Sequence, residues 1–200
     1  TRVLAVLAGL LLHDVESGAP APGAVESPRD WPLYTVLLPV YHEAGMLPGL
    51  QRAIAALDYP RDRLEAILLV EADDTATREA AARLETPAWW RVLVVPPGTP
   101  RTKPRACNAG LAEARGEFVV VFDAEDRPEP DQLKQAVRAF RRLPCHVACL
   151  QARLNYYNSR DNLLTRCFAL EYAAWFDLYL PGLHSLRGVI PLGGTSNHFR

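Results

Sequence analysis

From Leu33 onward, apolar runs of two different periods alternate along the chain. Thr35 to Pro39 is a short β-branched and aliphatic run closed by proline, and it predicts a strand. Met46 to Leu57 sets Leu47, Leu50, Ile54 and Leu57 at helical spacing on one face. Glu65 to Val70 and Arg91 to Val95 predict a second and a third strand, both continuous aliphatic runs of the kind buried on two sides. Pro104 opens a helix expected to reach Arg115, Gly116 ends it, and Phe118 to Phe122 is a fourth strand. From Pro130 a further helix places Leu133, Val137 and Phe140 on one face and turns Lys134, Arg138, Arg141 and Arg142 toward water. The alternation predicts an α/β fold, a mainly parallel sheet with helices on both faces.

Two segments break this pattern. Val3 to Leu12 is wholly apolar or small but falls short of the roughly 20 residues that cross a bilayer. Residues 1–12 are expected to be the end of a transmembrane helix, with a buried or frayed helix as the alternative. Residues 13–32, with prolines at 20, 22, 28 and 32, predict a Pro/Gly-rich linker, so the globular domain is expected over 33–200. Between Asp161 and Leu180, a wide apolar face carries Leu163, Leu164, Cys167, Phe168, Leu170, Ala174, Trp175, Leu178 and Tyr179, and Pro181-Gly182 is expected to end the helix. It reads either as a core helix or as one lying on a membrane surface, since Trp, Tyr and Arg flank the apolar residues.

Composition narrows the function classes. With 22 basic and 23 acidic residues the net charge is -1, so no global field draws nucleic acid, and anion binding requires a local cluster. A hydrophobic share of 49% against 22% charged excludes a disordered chain or a coiled coil. Cys107, Cys145, Cys149 and Cys167 form no CxxC pair and are expected as reduced thiols in the core.

In open α/β sheets ligands collect at the carboxyl ends of the strands. The fourth of these ends carries Asp123, Glu125, Asp126, Glu129 and Asp131, relieved only by Arg127. So many like charges repel unless a cation binds, and an oxygen-only set suits a hard ion, Mg²⁺ or Mn²⁺, shared by Asp123 and Glu125. Glu129 and Asp131 are read as serving the dipole of the next helix. Arg101, Lys103 and Arg105 lead into a helix whose proline leaves outward N–H groups, a start that attracts a diphosphate. Asn108 and Gly110, one turn in, either approach the ligand or pack the helix.

These motifs together resemble family 2 glycosyltransferases, in their cellulose-synthase-like, membrane-integrated branch. Leu38-Pro39-Val40-Tyr41-His42-Glu43, Asp73-Asp74, the stretch Lys103 to Leu111 and Asp123-Ala124-Glu125-Asp126 occur in the family's order, and Pro191 to Phe199 is similar to its glycine-rich stretch. The resemblance covers roughly Leu33 to Arg200. It implies a GT-A (Rossmann-like) fold and an inverting, metal-dependent transfer of a sugar from a nucleotide-diphosphate donor, expected to be a UDP-sugar, to a glycan or lipid acceptor. Tyr41 and Glu43 would line the nucleoside pocket, and one of Asp73, Asp74 or Glu71 would contact the uracil. Lys103 would face the diphosphate, with Asn108 on the same donor side, and Asp123 and Glu125 would match the metal-binding DxD, Glu replacing the second Asp. Gly193, Gly194, Thr195 and Ser196 would stand near the transferred sugar or its acceptor.

The resemblance also implies a general base in a Thr-Glu-Asp motif and a later Gln-x-x-Arg-Trp motif, and neither occurs in the 200 residues. The chain is therefore expected to be a fragment, truncated at its C-terminus and inactive alone, from a multi-pass protein of the cell (inner) membrane with this domain in the cytoplasm. Two other function classes stay open: a nucleotidyltransferase, which releases pyrophosphate, and a non-catalytic nucleotide-sugar binding module.

Overall fold

A computed structural model describes residues 2–12, 27 and 31–200. Most of the expected linker lies outside the described residues. Two compact units form, one from residues 1–20 and 151–194, the other from 21–150 and 195–200.

The second unit is built on the sheet. Strands β1 (Tyr34–Val40), β2 (Leu64–Glu71), β3 (Trp90–Val95) and β4 (Phe118–Val121) are joined by β5 (Cys149–Gln151) and β6 (Asn197–Phe199) in the order β3-β2-β1-β4-β6-β5. The first four run parallel, with Tyr34 opposite both Leu64 and Phe118, and β6 is antiparallel to β4. Successive strands step outward from β1 to β3, then the chain returns to the other side of β1. That reversal opens a crevice between the carboxyl ends of β1 and β4.

Alternate strand residues fill two cores. On one face Val36, Leu38, Ala66 and Leu68 pack with Leu50 and Ile54 of α2 (Leu47–Ala55), Ala81 of α3 (Thr75–Ala82) and Leu133, Val137 and Phe140 of α5 (Gln132–Arg142). On the other, Leu37, Ile67 and Leu69 meet Ala106 of α4 (Lys103–Glu113). Gly110 lets α4 approach so closely: a Cβ there would stand 2.8 Å from Leu69 Cδ2 and 3.0 Å from Leu37 Cδ2. Helices thus cover both faces.

Four expectations need correction. β3 is not buried on both sides: Val92 and Val94 are exposed, because β3 is the sheet edge and the core that takes in Trp90 and Ala81 stops short of them. α5 begins at Gln132, since Pro130 sits in the turn before it and its carbonyl accepts Asp58 N–H at 2.7 Å. Cys145 and Cys167 are exposed thiols, not core ones. Pro181 does not end its helix. In the first unit, α6 (Leu163–Ala173) widens into a π-helix over Ala174–Tyr179, and α7 (Leu180–Ser185) continues from it with Pro181 as its second residue. No residue of α6 is buried, which is not the pattern of a core helix.

Also in the first unit, α1 (Arg2–Leu12) touches this helix backbone to backbone. A Cβ on Gly182 would stand 1.7 Å from the Ala5 carbonyl oxygen, and one on Gly9 2.0 Å from that of Leu178.

On β6, His198 is 2% exposed, held between Tyr34 Oη at 2.6 Å from Nδ1 and Gln132 Nε2 at 3.0 Å from Nε2. Burial pushes its pKa down to about 4 from 6.5. The folded state therefore holds fewer protons than the unfolded between those values, and stability falls as pH drops from about 6.5 toward 4, by on the order of 3 kcal/mol at most. Glu43 and Asp126, whose carboxyls are raised by burial, act with the opposite sign. Comparing urea unfolding of wild type and His198→Gln across pH 7 to 4.5 isolates the histidine. The wild type is expected to lose more stability on acidification than the variant, and equal losses would contradict this.

Candidate functional site

The crevice at the carboxyl ends of β1, β2 and β4 is a cleft of about 340 Å³. Pro39, Val40, Ala106 and Ala124 give it an apolar base, and Tyr41, Glu43, Glu71, Arg101, Lys103, Asp123 and Glu125 give it a polar wall. Acids and bases face each other across it because the carboxylates follow β1, β2 and β4, whereas the cations precede and open α4.

Each charge is positioned by a local device. Just past β1, His42 takes a left-handed φ of 57°, a conformation that costs a non-glycine residue about 1 kcal/mol or more. Its N–H donates to Asp74 Oδ2 at 2.6 Å, and this turn leaves both Tyr41 and Glu43 on the cleft. Burial raises the Glu43 carboxyl, with the nearby Glu125 and Asp123 adding to the rise against the Tyr41 N–H and Lys103. The Lys103 ammonium is paired with the Asp123 carboxylate. Arg105 pairs with Glu71 and donates to Pro96 O at 2.6 Å, fastening the loop before α4 to the end of β2. Arg101 lies 5.9 Å from the Tyr41 ring, donates to its hydroxyl at 3.1 Å and pairs with Asp73 at 2.6 Å.

Five of the expected residues, Tyr41, Glu43, Lys103, Asp123 and Glu125, therefore surround one cleft. Of the three acids after the second strand, Glu71 is on the cleft wall, while Asp73 stands beside Arg101, outside the lining. Asp74 is a helix cap: buried, it accepts Thr77 N–H at 3.1 Å. Burial raises its pKa, but the bonds from Thr77 and His42 outweigh that and lower it. The spacing Asp74-Thr75-Ala76-Thr77 is an N-cap signal present in the sequence.

Asn108 is exposed and outside the cleft lining, since five residues beyond Lys103 turn a helix by about 140°. Gly193 and Gly194 belong to the first unit, where Gly193 N–H donates to Gln151 Oε1 at 2.7 Å. Thr195 donates its hydroxyl to Asp126, and Ser196 is a buried turn residue at φ 54° whose N–H donates to Val121 O at 2.8 Å. Sequence reasoning did not find the Asp126–Thr195 contact, because 69 residues separate the partners.

Among the described residues, no three His, Cys, Asp or Glu side chains converge as a metal cage. Asp123 and Glu125 nonetheless fit Mg²⁺ or Mn²⁺, which are commonly held by one or two carboxylates together with substrate phosphates. The ammonium on Asp123 and the effect of Asp123 and Glu125 on Glu43 both report a negative field suited to a cation.

Comparison with known proteins finds relatives among glycosyltransferases. The probable glycosyltransferase YdaM of Bacillus subtilis is 29% identical over 148 residues, covering 73% of this chain and 35% of the relative. Probable glucomannan 4-beta-mannosyltransferase 1 of Arabidopsis thaliana is 31% identical over 147 residues, covering 70% and 26%. The chain thus spans about a third or less of the length of these curated relatives. The mannosyltransferase PcManGT from Pyrobaculum calidifontis, solved in complex with GDP-Man and Mn²⁺, superposes with a TM-score of 0.56 at 29% identity, over 78% of this chain and 46% of that one. The six-stranded sheet with its helices is the GT-A fold. The model of the family described as Glycosyl transferase family 2 matches residues 35–194, a span that contains the whole cleft, and the chain belongs to that family.

Proposed function

We propose that the cleft binds a nucleotide-diphosphate sugar together with Mg²⁺ or Mn²⁺, and that the protein transfers the sugar, with inversion, to a glycan or lipid acceptor. The observation that carries this reading is the Lys103–Asp123 pair on a wall shared with Glu125, at a helix start beside the switch point of the sheet. Asp123 and Glu125 would hold the ion, which when bound would neutralise charge building on the leaving diphosphate. Lys103 faces the diphosphate from the first turn of α4, where the helix dipole adds to its attraction. Tyr41 and Glu43 border the nucleoside, with Glu71 and the Arg101–Asp73 pair the nearest groups for its base. Gly193, Gly194, Thr195 and Ser196 keep their roles toward sugar or acceptor from the resemblance alone, and no residue is assigned as the acceptor's base. UDP is the nucleotide that the resemblance implies; PcManGT, solved in complex with GDP-Man and Mn²⁺, makes GDP-mannose the second donor to test.

The reading is tested by incubating the purified chain with UDP-sugars and GDP-mannose, Mn²⁺ and candidate acceptors, and identifying what leaves the donor. Any cleavage should release nucleoside diphosphate, whereas pyrophosphate would show a nucleotidyltransferase. Turnover is expected to stay below about 1 per second, the low end for real enzymes, because the Thr-Glu-Asp motif in which the resemblance places the base does not occur in the 200 residues.

We further propose that the first unit lies on a membrane surface. Among the described residues no helix is long and apolar enough to cross one. Val3, Leu4, Leu7 and Leu10 of α1 and Leu163, Leu164, Phe168 and Leu170 of α6 are nevertheless exposed. Small residues at Ala5, Gly9 and Gly182 allow the backbone contact typical of helices packing in lipid. A variant retaining Trp175 as its one tryptophan should shift its emission to the blue when phospholipid vesicles are added. An unchanged spectrum from the folded variant would remove the membrane from this account.

A further inference from the structure

Asp126 follows Asp123 and Glu125 after β4, and the donor reading leaves it without a role. It does not line the cleft. Its Oδ2 accepts the backbone N–H of Asp123 at 2.7 Å and also the hydroxyl of Thr195, while its own N–H donates to Asp123 O at 3.1 Å. Thr195 Oγ1 stands 3.3 Å from both the Asp123 nitrogen and the Val121 carbonyl oxygen.

Thr195 itself is held firmly. The next residue, Ser196, is buried in a left-handed turn and bonded through its N–H to Val121 O, and Asn197 then pairs with Val121 as β6 joins β4. The link therefore runs from a strand of the sheet, through one hydroxyl and one carboxylate oxygen, to the peptide that carries the Asp123 side chain. A residue held at both its N–H and its C=O has the direction of its Cα–Cβ bond fixed, which narrows where its carboxylate can point.

We propose that Asp126 and Thr195 are positioning residues, which aim the Asp123 carboxylate at the divalent ion and diphosphate without touching either. This rests on the donor-site reading above. It makes three demands that a merely structural contact or a third metal ligand would not meet together. Removing the Thr195 hydroxyl should weaken the ion even when no sugar or acceptor is present. Serine at 195 should restore it. Asparagine at 126 should be tolerated, because one oxygen receives both bonds and an amide oxygen can do the same.

The test is Mn²⁺ affinity in the presence of UDP and, in parallel, GDP, read from the free-Mn²⁺ electron paramagnetic resonance signal, with unfolding curves recorded for each variant. Asp126→Ala and Thr195→Val are expected to lose about 10- to 100-fold, the usual cost of removing support from a metal ligand. Thr195→Ser and Asp126→Asn should remain close to wild type. Undiminished affinity in Thr195→Val would overturn the proposal, as would a loss in Asp126→Asn as large as that in Asp123→Ala, which would make Asp126 a ligand itself. If Asp126→Ala fails to fold, the Thr195→Val and Thr195→Ser pair decides. Failure of the donor-site reading looks different: wild type would bind no Mn²⁺ with either nucleotide, or Asp123→Ala would bind it equally well, and this proposal would fall with that reading.

Discussion

Replacing Asp123 by alanine is expected to weaken Mn²⁺-dependent binding of a nucleoside diphosphate by more than about 100-fold, since even residues that only support a metal ligand cost 10- to 100-fold. Two effects add in this variant. It removes one of the two carboxylates proposed to hold the ion, and it breaks the Lys103–Asp123 ion pair. The second effect works in favour of the nucleotide when metal is absent, because the Asp123 carboxylate no longer competes with phosphate for the ammonium. The variant should therefore lose its response to Mn²⁺ more completely than it loses nucleotide itself, a split that titrations with and without the metal resolve. A variant whose affinity responds to Mn²⁺ as the wild type does would place the ion elsewhere.

Glu65 carries the largest expected effect on stability, and it lies at the opposite end of the strands from the cleft. It is 1% exposed and gathers the Thr35 hydroxyl at 2.7 Å, the Arg115 N–H at 3.0 Å and Nε at 2.8 Å, and Arg91 Nε at 3.3 Å. One carboxylate thereby ties β1, β2, β3 and the turn before β4. Breaking a buried pair costs about 3–5 kcal/mol, but both arginines reach solvent and recover hydration, so Glu65→Ala is expected to lose roughly 2–3 kcal/mol. Burial raises the Glu65 pKa, and the bonds from Thr35 and Arg115 more than reverse that, leaving it below 4.5. Its contribution is thus complete above the unfolded value and is lost as pH falls through the folded one. Denaturant unfolding at neutral pH measures the loss, and nucleotide affinity should not change. A loss under about 1 kcal/mol would show that the network contributes no more than an exposed pair.

How far the sequence could be read depended on whether a signal was local. The α5 face was legible because Leu133, Val137 and Phe140 repeat at helical spacing, and all three are buried. The strand ends were legible because polar clusters follow aliphatic runs, and the resemblance singled out Tyr41, Glu43, Lys103, Asp123 and Glu125 among them, which line one cleft. The exposed side of β3 was not, since Val92-Leu93-Val94 reads alike in an edge strand and a central one. The π-helix ahead of Pro181 was hidden for a similar reason: proline usually marks an end, and only the packing of its surroundings shows that the helix continues. Asp74 carries a local helix-capping signal as well, which the choice among Glu71, Asp73 and Asp74 left unused. Asp126 required a contact with Thr195 that no window of sequence contains.

The central claim is that the cleft takes a diphosphate and a divalent ion as one ligand. Calorimetric titration of UDP and of GDP into the wild-type chain, once with Mn²⁺ and once with EDTA, tests it most directly. The account predicts saturable binding at one site for at least one of the two nucleotides, at least about 10-fold tighter with the metal, since an ion held by Asp123 and Glu125 would offset the charge of the diphosphate. Equal affinity in Mn²⁺ and EDTA, or no binding of either nucleotide under both conditions, would contradict it.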